Sequence, residues 1–222
     1  MEKKDLKPAG VFKYFEEICQ VPRPSKKEEK MIAYLKAFGA KHNLETKVDE
    51  AGNVLIKKPA TPGKENLQTV VLQSHIDMVC EKNNDVQHDF LTDPIETEID
   101  GEWLKAKGTT LGADNGIGVA TELAILADDS IEHGPLECLF TVDEETGLTG
   151  AFALQEGFMS GDILLNLDSE DEGEIFIGCA GGIDSVAEFT YKEVVVPAGY
   201  FFFKVEVKGL KGGHSGGDIH LG

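Results

Sequence analysis

The spacing of apolar residues predicts two helices at the start of the chain. Between residues 8 and 20, apolar side chains recur every three or four positions, which is the period of a helix packed on a core. A second helix is predicted to continue to about residue 43, after Ser25 and Glu28, which have the spacing of a capping box. Both segments therefore indicate amphipathic helices that cover one face of a core.

Runs of apolar and β-branched residues further along predict strands, most of them buried in the centre of a sheet. They alternate with helical patterns, an order typical of α/β proteins. The predicted fold is a three-layer α/β domain with a largely parallel or mixed central sheet flanked by helices. Its strands are predicted at 44–49, 53–57, 69–74, 136–142, 163–167 and 174–179, with a hairpin at 94–107 and helices at 115–127 and 150–155.

The pattern changes after Gly181 and Gly182, which places a predicted domain boundary near residue 183. Segments 185–191 and 200–207 alternate between apolar and polar residues and contain no helical pattern. Residues 1–183 are therefore expected to form one domain. Residues 184–222 are expected to be the truncated start of a second, α+β domain, because so few residues cannot enclose a core.

The composition of the chain indicates which binding partners are excluded and which cellular compartment is expected. The 222 residues include 40 Asp and Glu against 21 Lys and Arg, a net charge of −19, which argues against nucleic-acid binding. The longest apolar run, 194–203, is too short to cross a bilayer, and the start of the chain has no signal-peptide pattern. Four cysteines without a C-x-x-C pair favour a reducing compartment. We therefore predict a cytoplasmic protein without a membrane or nucleic-acid partner.

Ligand-type side chains follow several of the predicted buried strands. His75 and Asp77 end one strand, residues 143–145 are all acidic and end another, and Asp168 ends a third. Asp114 lies in a glycine-rich loop before the central helix. Sites in open α/β sheets lie at the carboxyl ends of the strands, and imidazole with carboxylates suits zinc, cobalt or manganese. The pattern favours a metal site.

Each of these residues also has an ordinary structural explanation when taken alone. His75 could be a core histidine, Asp114 a helix N-cap, and Glu144 with Glu145 a solvated loop. Alternate strand residues share a face, so Asp77 could orient the ring of His75. Adjacent carboxylates beside a metal would supply one ligand and one general base. The coincidence of all these residues at strand ends favours the metal site.

Several blocks, in order along the chain, make the sequence similar to one peptidase family. It resembles the aminoacyl-histidine dipeptidases (Xaa-His dipeptidases), members of the di-zinc metallopeptidase clan that includes carboxypeptidase G and the aminoacylases. The blocks are VPRPS at 21–25, SHIDMVCEK at 74–82, GTTLGADNG at 108–116, FTVDEETG at 140–147, LNLDSED at 165–171 and GLKGGHSG at 209–216.

The resemblance implies a role for each matching residue in a zinc-dependent hydrolysis of dipeptides. The second domain would be a lid, which in full-length family members often forms a homodimer. Two Zn²⁺ ions are implied, with Co²⁺ or Mn²⁺ as alternatives. The resemblance implies that His75 and Asp168 bind one zinc ion, that Glu145 binds the other, and that Asp114 bridges the two. It also implies that Glu144 is the general base, that Asp77 holds the ring of His75, and that His214 is directed toward the oxyanion.

The chain departs from the family in length, because family members are about twice as long. The resemblance implies that their second half supplies a last histidine ligand to the zinc held by Glu145, together with much of the recognition of the substrate carboxylate. The chain is therefore expected to be an N-terminal portion, and activity is expected to belong to the full-length form. Two alternatives stay open, a non-catalytic metal-binding fragment and a related tripeptidase or aminoacylase-type hydrolase. The blocks at 165–171 and around Glu81 and Lys82 favour the dipeptidase.

Overall fold

A five-stranded mixed sheet forms the centre of the computed structural model, which describes residues 3–169, 173–179, 181, 185–209 and 220. Its strands are β1 (Glu45–Val48), β2 (Val54–Lys58), β3 (Val70–His75), β6 (Leu136–Thr141) and β7 (Ile163–Asn166), and a separate hairpin pairs β4 (Thr97–Asp100) with β5 (Trp103–Ala106). The spatial order in the sheet is β1-β2-β6-β3-β7. Strands β3, β6 and β7 are parallel to one another, β2 pairs antiparallel with β6, and β1 pairs antiparallel with β2.

Three helices cover one face of this sheet. Helix α1 (Ala9–Cys19) packs against α3 (Ala113–Ala127), and α2 (Glu29–Lys41) packs against β1 and β2. A 3₁₀ turn (Lys3–Asp5) precedes α1. Alternate residues of the strands face them, such as Ile56 on β2 and Phe140 on β6, and both are fully buried. The principal core lies between the helices and this face.

The opposite face of the sheet carries a smaller apolar cluster. Here Leu55, Val71 and Leu139 contact Leu154, Phe158 and Met159, which follow the short helix α4 (Thr149–Ala153). The predicted mixed sheet with helices on both faces is confirmed. Among the described residues, no helix is long and apolar enough to span a bilayer.

The chain divides into two units, Met1–Phe176 and Ile177–Gly222. The sheet and its helices belong to the first unit. In the second unit, residues 185–209 form turns and irregular backbone. The assignment of residues 1–183 to a catalytic domain and of 184–222 to a lid stays a prediction.

Two details of the predicted local structure are wrong. Ser25 does not cap α2; its hydroxyl instead donates to Asp77, and Glu28 accepts the main-chain N–H groups of Lys26 and Asp143. The apolar segments at 174–179, 185–191 and 200–207 have the pattern of strands, but their described residues are not in strands. A strand needs a partner for its main-chain hydrogen bonds, and no described segment pairs with them.

Candidate metal centre

The candidate site lies at the edge of the sheet where the three parallel strands end. His75 is the last residue of β3, and Asp168 follows β7 by two residues. Glu144 and Glu145 come just after β6. Asp114 lies at the start of α3, where its non-helical backbone (φ −80°, ψ 115°) departs from the helix. Parallel strands bring their carboxyl ends to one edge, so residues far apart in sequence meet there.

The imidazole of His75 contacts two of the predicted ligands. Its Nε2 atom lies 2.9 Å from Oδ1 of Asp114 and 3.7 Å from Oδ2 of Asp168. Donor atoms of these three residues lie within 4.8 Å of one another, and those of His75, Glu144 and Glu145 form a second such group. The structure thus brings all four predicted ligands and the predicted base to one edge. The division of the four ligands between two ions stays a prediction.

Asp77 links the ring of His75 to the loop that follows β6. Its Oδ1 atom lies 3.3 Å from Nδ1 of His75 and accepts the N–H of Glu144 at 3.0 Å. Its other oxygen accepts the N–H of Glu145 at 3.2 Å and the hydroxyl of Ser25 at 2.8 Å. A carboxylate with four partners is held rigidly, and it fixes the orientation of the ring.

A second buried carboxylate shapes the loop that carries Glu144 and Glu145. Asp143 has a positive φ of 50°, and its side chain accepts the hydroxyls of Thr146 and Thr149. Its main-chain N–H donates to Glu28, at the start of α2. The loop therefore turns sharply after β6, and the backbone of Glu144 and Glu145 is directed toward Asp77.

The electrostatic environment of the site combines crowded carboxylates with one imidazole. Burial disfavours the charged ring, but hydrogen bonds with Asp114 and Asp77 outweigh this effect and raise the pKa of His75 to about 10. Burial would raise the pKa of Asp77, yet its hydrogen bonds, led by that with His75, lower it to about 2. In the absence of a metal, the carboxylate of Asp77 therefore stays ionised behind the ring of His75.

Three further carboxyl groups of the site have raised pKa values. Burial and the neighbouring carboxylates raise the pKa of Asp168 to about 6. Burial raises the pKa of Glu144 and of Glu145, with further contributions from the surrounding acidic groups. Like charges crowded around one imidazole are relieved by a cation, so the donor set fits a divalent metal held by nitrogen and oxygen ligands.

Sequence reasoning missed several residues that support the site. Ser25 and Glu28 have the spacing of a helix cap, which gives no indication of a role at the site, and Asp143 has no signal that separates it from the other acidic residues of 143–145. Another is Asn166, whose Oδ1 atom accepts the N–H of Asp168 at 3.0 Å. The predicted oxyanion residue, His214, lies outside the described residues.

Known proteins are similar to this chain in sequence. The model of the peptidase family M20/M25/M40 matches residues 71–212. The cytosol non-specific dipeptidase of Escherichia coli is 53% identical over 221 residues, which is 100% of this chain and 46% of that protein. The chain therefore spans about half the length of this curated relative.

Solved structures agree with these matches. The crystal structure of aminoacylhistidine dipeptidase from Vibrio alginolyticus matches with a TM-score of 0.76 and 56% identity, over 78% of this chain and 35% of that one. Aminopeptidase PepT from Bacillus cereus matches with a TM-score of 0.62 and 26% identity, over 73% and 43% of the two chains. The resemblance that the motifs predict is confirmed, and the chain belongs to the peptidase family M20/M25/M40.

Proposed function

We propose that this chain provides most of the metal site of a dipeptidase that hydrolyses Xaa-His dipeptides with two zinc ions. The observation that carries the proposal is the position of His75, whose Nε2 atom lies 2.9 Å from Asp114 and 3.7 Å from Asp168. One imidazole and two carboxylates from three separate segments meet at the carboxyl edge of the sheet. The names of the E. coli and Vibrio relatives support a dipeptide as substrate.

The proposed ligands divide between two ions. His75 and Asp168 would bind the first ion, Glu145 the second, and Asp114 both. Bound zinc would lower the pKa of a water molecule and stabilise the developing oxyanion, and Co²⁺ or Mn²⁺ could replace it with the same ligands. The matched dipeptidases extend beyond this chain, and a further histidine ligand for the second ion is expected from that additional length.

Glu144 is the proposed general base. It lies beside the ligands, and burial raises its pKa toward the range in which a carboxylate can accept and return a proton. It would take a proton from the attacking water and deliver it to the amine of the leaving residue. Asp77 would keep the ring of His75 in one orientation throughout.

Zinc stoichiometry and hydrolysis of the 222-residue chain test the proposal. The chain is incubated with excess zinc and desalted, and its metal content is compared with those of His75→Ala and Asp114→Ala. About two zinc ions per native chain, and fewer in both variants, are expected. Native metal content in both variants would refute the site. Hydrolysis of an Xaa-His dipeptide by the chain would exclude a non-catalytic metal-binding fragment.

A substrate panel separates the dipeptidase from its nearest alternative. The fold is shared with an aminopeptidase at a TM-score of 0.62, so the architecture also suits a tripeptidase or an aminoacylase-type hydrolase. The rates at which the catalytically active form of the protein hydrolyses three substrate classes are compared. These classes are dipeptides ending in histidine, tripeptides and N-acyl amino acids. A preference for tripeptides or acylated amino acids would contradict the proposed substrate class.

Three further features of the proposed enzyme stay predictions. They are a role of His214 at the oxyanion, pairing of two copies through the lid, and a cytoplasmic location. The last of these is supported by the E. coli relative, which is named a cytosol dipeptidase, and by the four free cysteines, Cys19, Cys80, Cys138 and Cys179.

A further inference from the structure

Arg23 is the single arginine of the chain, and it lies inside the protein beside the candidate site. The residue is only 3% exposed. Within the described part of the chain, its guanidinium donates three hydrogen bonds, all to main-chain carbonyl oxygens. These oxygens belong to Ile76 at 3.1 Å, Asp77 at 2.9 Å and Gly112 at 2.5 Å. A buried cation is costly unless such partners compensate it, so this position calls for an explanation.

The three carbonyls belong to two of the segments that carry proposed ligands, those of His75 and Asp114. Ile76 and Asp77 directly follow His75 at the end of β3. Gly112 is the N-cap of α3, two residues before Asp114, and its carbonyl also accepts the N–H of Gly116. One side chain therefore bridges the segments of His75 and Asp114, which are not neighbouring strands of the sheet.

The surroundings of Arg23 fit the width of a guanidinium. A Cβ atom added to Gly112 would lie 2.5 Å from Nη2, and one added to Gly116 would lie 2.7 Å from the same atom. Both glycines thus leave the space that the group occupies. The neighbouring residue Pro24 forms a parallel β-bridge with Met78. This bridge joins the segment of Arg23 to the residues that follow β3.

The charge of Arg23 also agrees with this location. Burial lowers the pKa of Arg23, and the negative charges of Asp77 and Asp114 are among those that partly offset the effect. A planar fork can donate in two directions at once, whereas the single ammonium of lysine cannot span the same acceptors. The geometry therefore requires arginine in particular.

We propose that Arg23 is a positioning residue for the metal site, which holds His75 and Asp114 at the separation that a shared ion needs. This inference rests on the proposed metal site. It predicts that Arg23→Lys folds with its positive charge retained but binds metal at least about tenfold more weakly, as is typical when a group that orients a ligand is lost.

Lys58 offers a matched control at the other end of α3. It is a buried cation, 7% exposed, and its Nζ atom donates to the carbonyls of Ile125 at 3.1 Å and Asp128 at 2.7 Å. In the described part of the chain, the polar contacts of its side chain are with the C-terminal end of α3 and the residues just after it, and none is with a proposed ligand. Lys58→Met is therefore expected to lower the stability of the fold while its metal affinity stays within about threefold of the native value.

The experiment measures Co²⁺ and Zn²⁺ dissociation constants by chelator competition, at a temperature where each variant is fully folded. The visible absorption of bound Co²⁺ reports the coordination geometry, which a general loss of stability would not alter. Weaker binding and an altered Co²⁺ spectrum are expected for Arg23→Lys, but not for Lys58→Met. Native affinity and spectrum in Arg23→Lys, or equal weakening in Lys58→Met, would overturn the inference.

A second variant keeps the test decisive if Arg23→Lys does not fold. Gly116→Ala places a methyl group against Nη2 and leaves Arg23 itself unchanged. The same loss of affinity is expected, and native binding would count against the inference. Binding by the native chain that persists in His75→Ala and Asp114→Ala would instead refute the proposed site and with it this role of Arg23.

Discussion

The carboxylate of Asp77 lies 3.3 Å from Nδ1 of His75, and both side chains are almost completely buried. The opposite nitrogen of the ring faces Asp114 and Asp168. The imidazole is therefore held from behind by one carboxylate, and its Nε2 atom is directed to the open edge of the sheet. This arrangement makes the behaviour of His75 depend on a residue that is not itself a proposed ligand.

Replacement of Asp77 by asparagine should weaken metal binding. The amide keeps the shape of the side chain but loses the charge, and its nitrogen cannot accept the N–H of Glu144 or Glu145. We expect a loss of about 10- to 100-fold in zinc affinity, measured by chelator competition. Asp162→Asn, at an exposed aspartate outside the site, is the control. An unchanged affinity in Asp77→Asn would show that this carboxylate does not orient the ligand.

Replacement of Glu144 by glutamine should separate metal binding from turnover. The amide cannot accept a proton, so hydrolysis in the active form of the protein should fall by at least about 100-fold. Zinc content, measured after desalting, should stay at the native level because Glu144 is not among the proposed ligands. Glu156→Gln removes an exposed carboxylate and should leave both quantities unchanged. Native turnover in Glu144→Gln would eliminate this residue as the base.

A buried carboxyl group behind the site should make stability depend on pH. Glu122 is fully buried, and this burial raises its pKa well above 4.5, although hydrogen bonds with Ser74 and Cys138 oppose the shift. The folded state therefore keeps a proton that the unfolded state loses above about pH 4.5. The free energy of unfolding contributed by this group falls as pH rises toward the pKa of the folded state.

The variant Glu122→Gln removes this titration. Its stability relative to the native protein should increase by up to about 1.4 kcal/mol per pH unit within that window. Urea unfolding at several values between about pH 5 and pH 8 measures the difference. Glu102→Gln, at an exposed glutamate, matches the change in net charge and should show no such trend. A difference that stays constant with pH would contradict the neutral state of Glu122.

The principal core, between the sheet and the three helices, should contribute most of the free energy of unfolding. Leu123 on α3 is completely buried in the principal core, whereas Leu91 is 52% exposed. Leu123→Ala should lower the free energy of unfolding by about 2–5 kcal/mol, because it removes buried methyl groups and leaves a cavity. The same change at Leu91 should cost less than about 1 kcal/mol. Similar losses in urea unfolding of the two variants would contradict the assigned core.

The sequence by itself determined most of the elements and the set of candidate ligands. Strands β3, β6 and β7 are rich in apolar residues over short stretches, and such stretches carry their signal locally. His75 and Asp168 could be selected because they stand directly at or after the ends of these stretches. Parallel strands have their carboxyl ends at the same edge of a sheet, so residues that follow such strands are expected to lie together. The location of the site could therefore be predicted without knowledge of the strand order.

Only the tertiary structure decided which residues support that site. Arg23 is more than 50 positions from the carbonyls of Ile76 and Asp77, and Glu28 is 115 positions from Asp143. Such contacts leave no periodic trace in the sequence, because they depend on how separate segments pack. The same cause explains Ser25, whose local pattern fits a helix cap but whose hydroxyl binds Asp77. Local patterns determine elements, and the packing of those elements decides which polar groups meet.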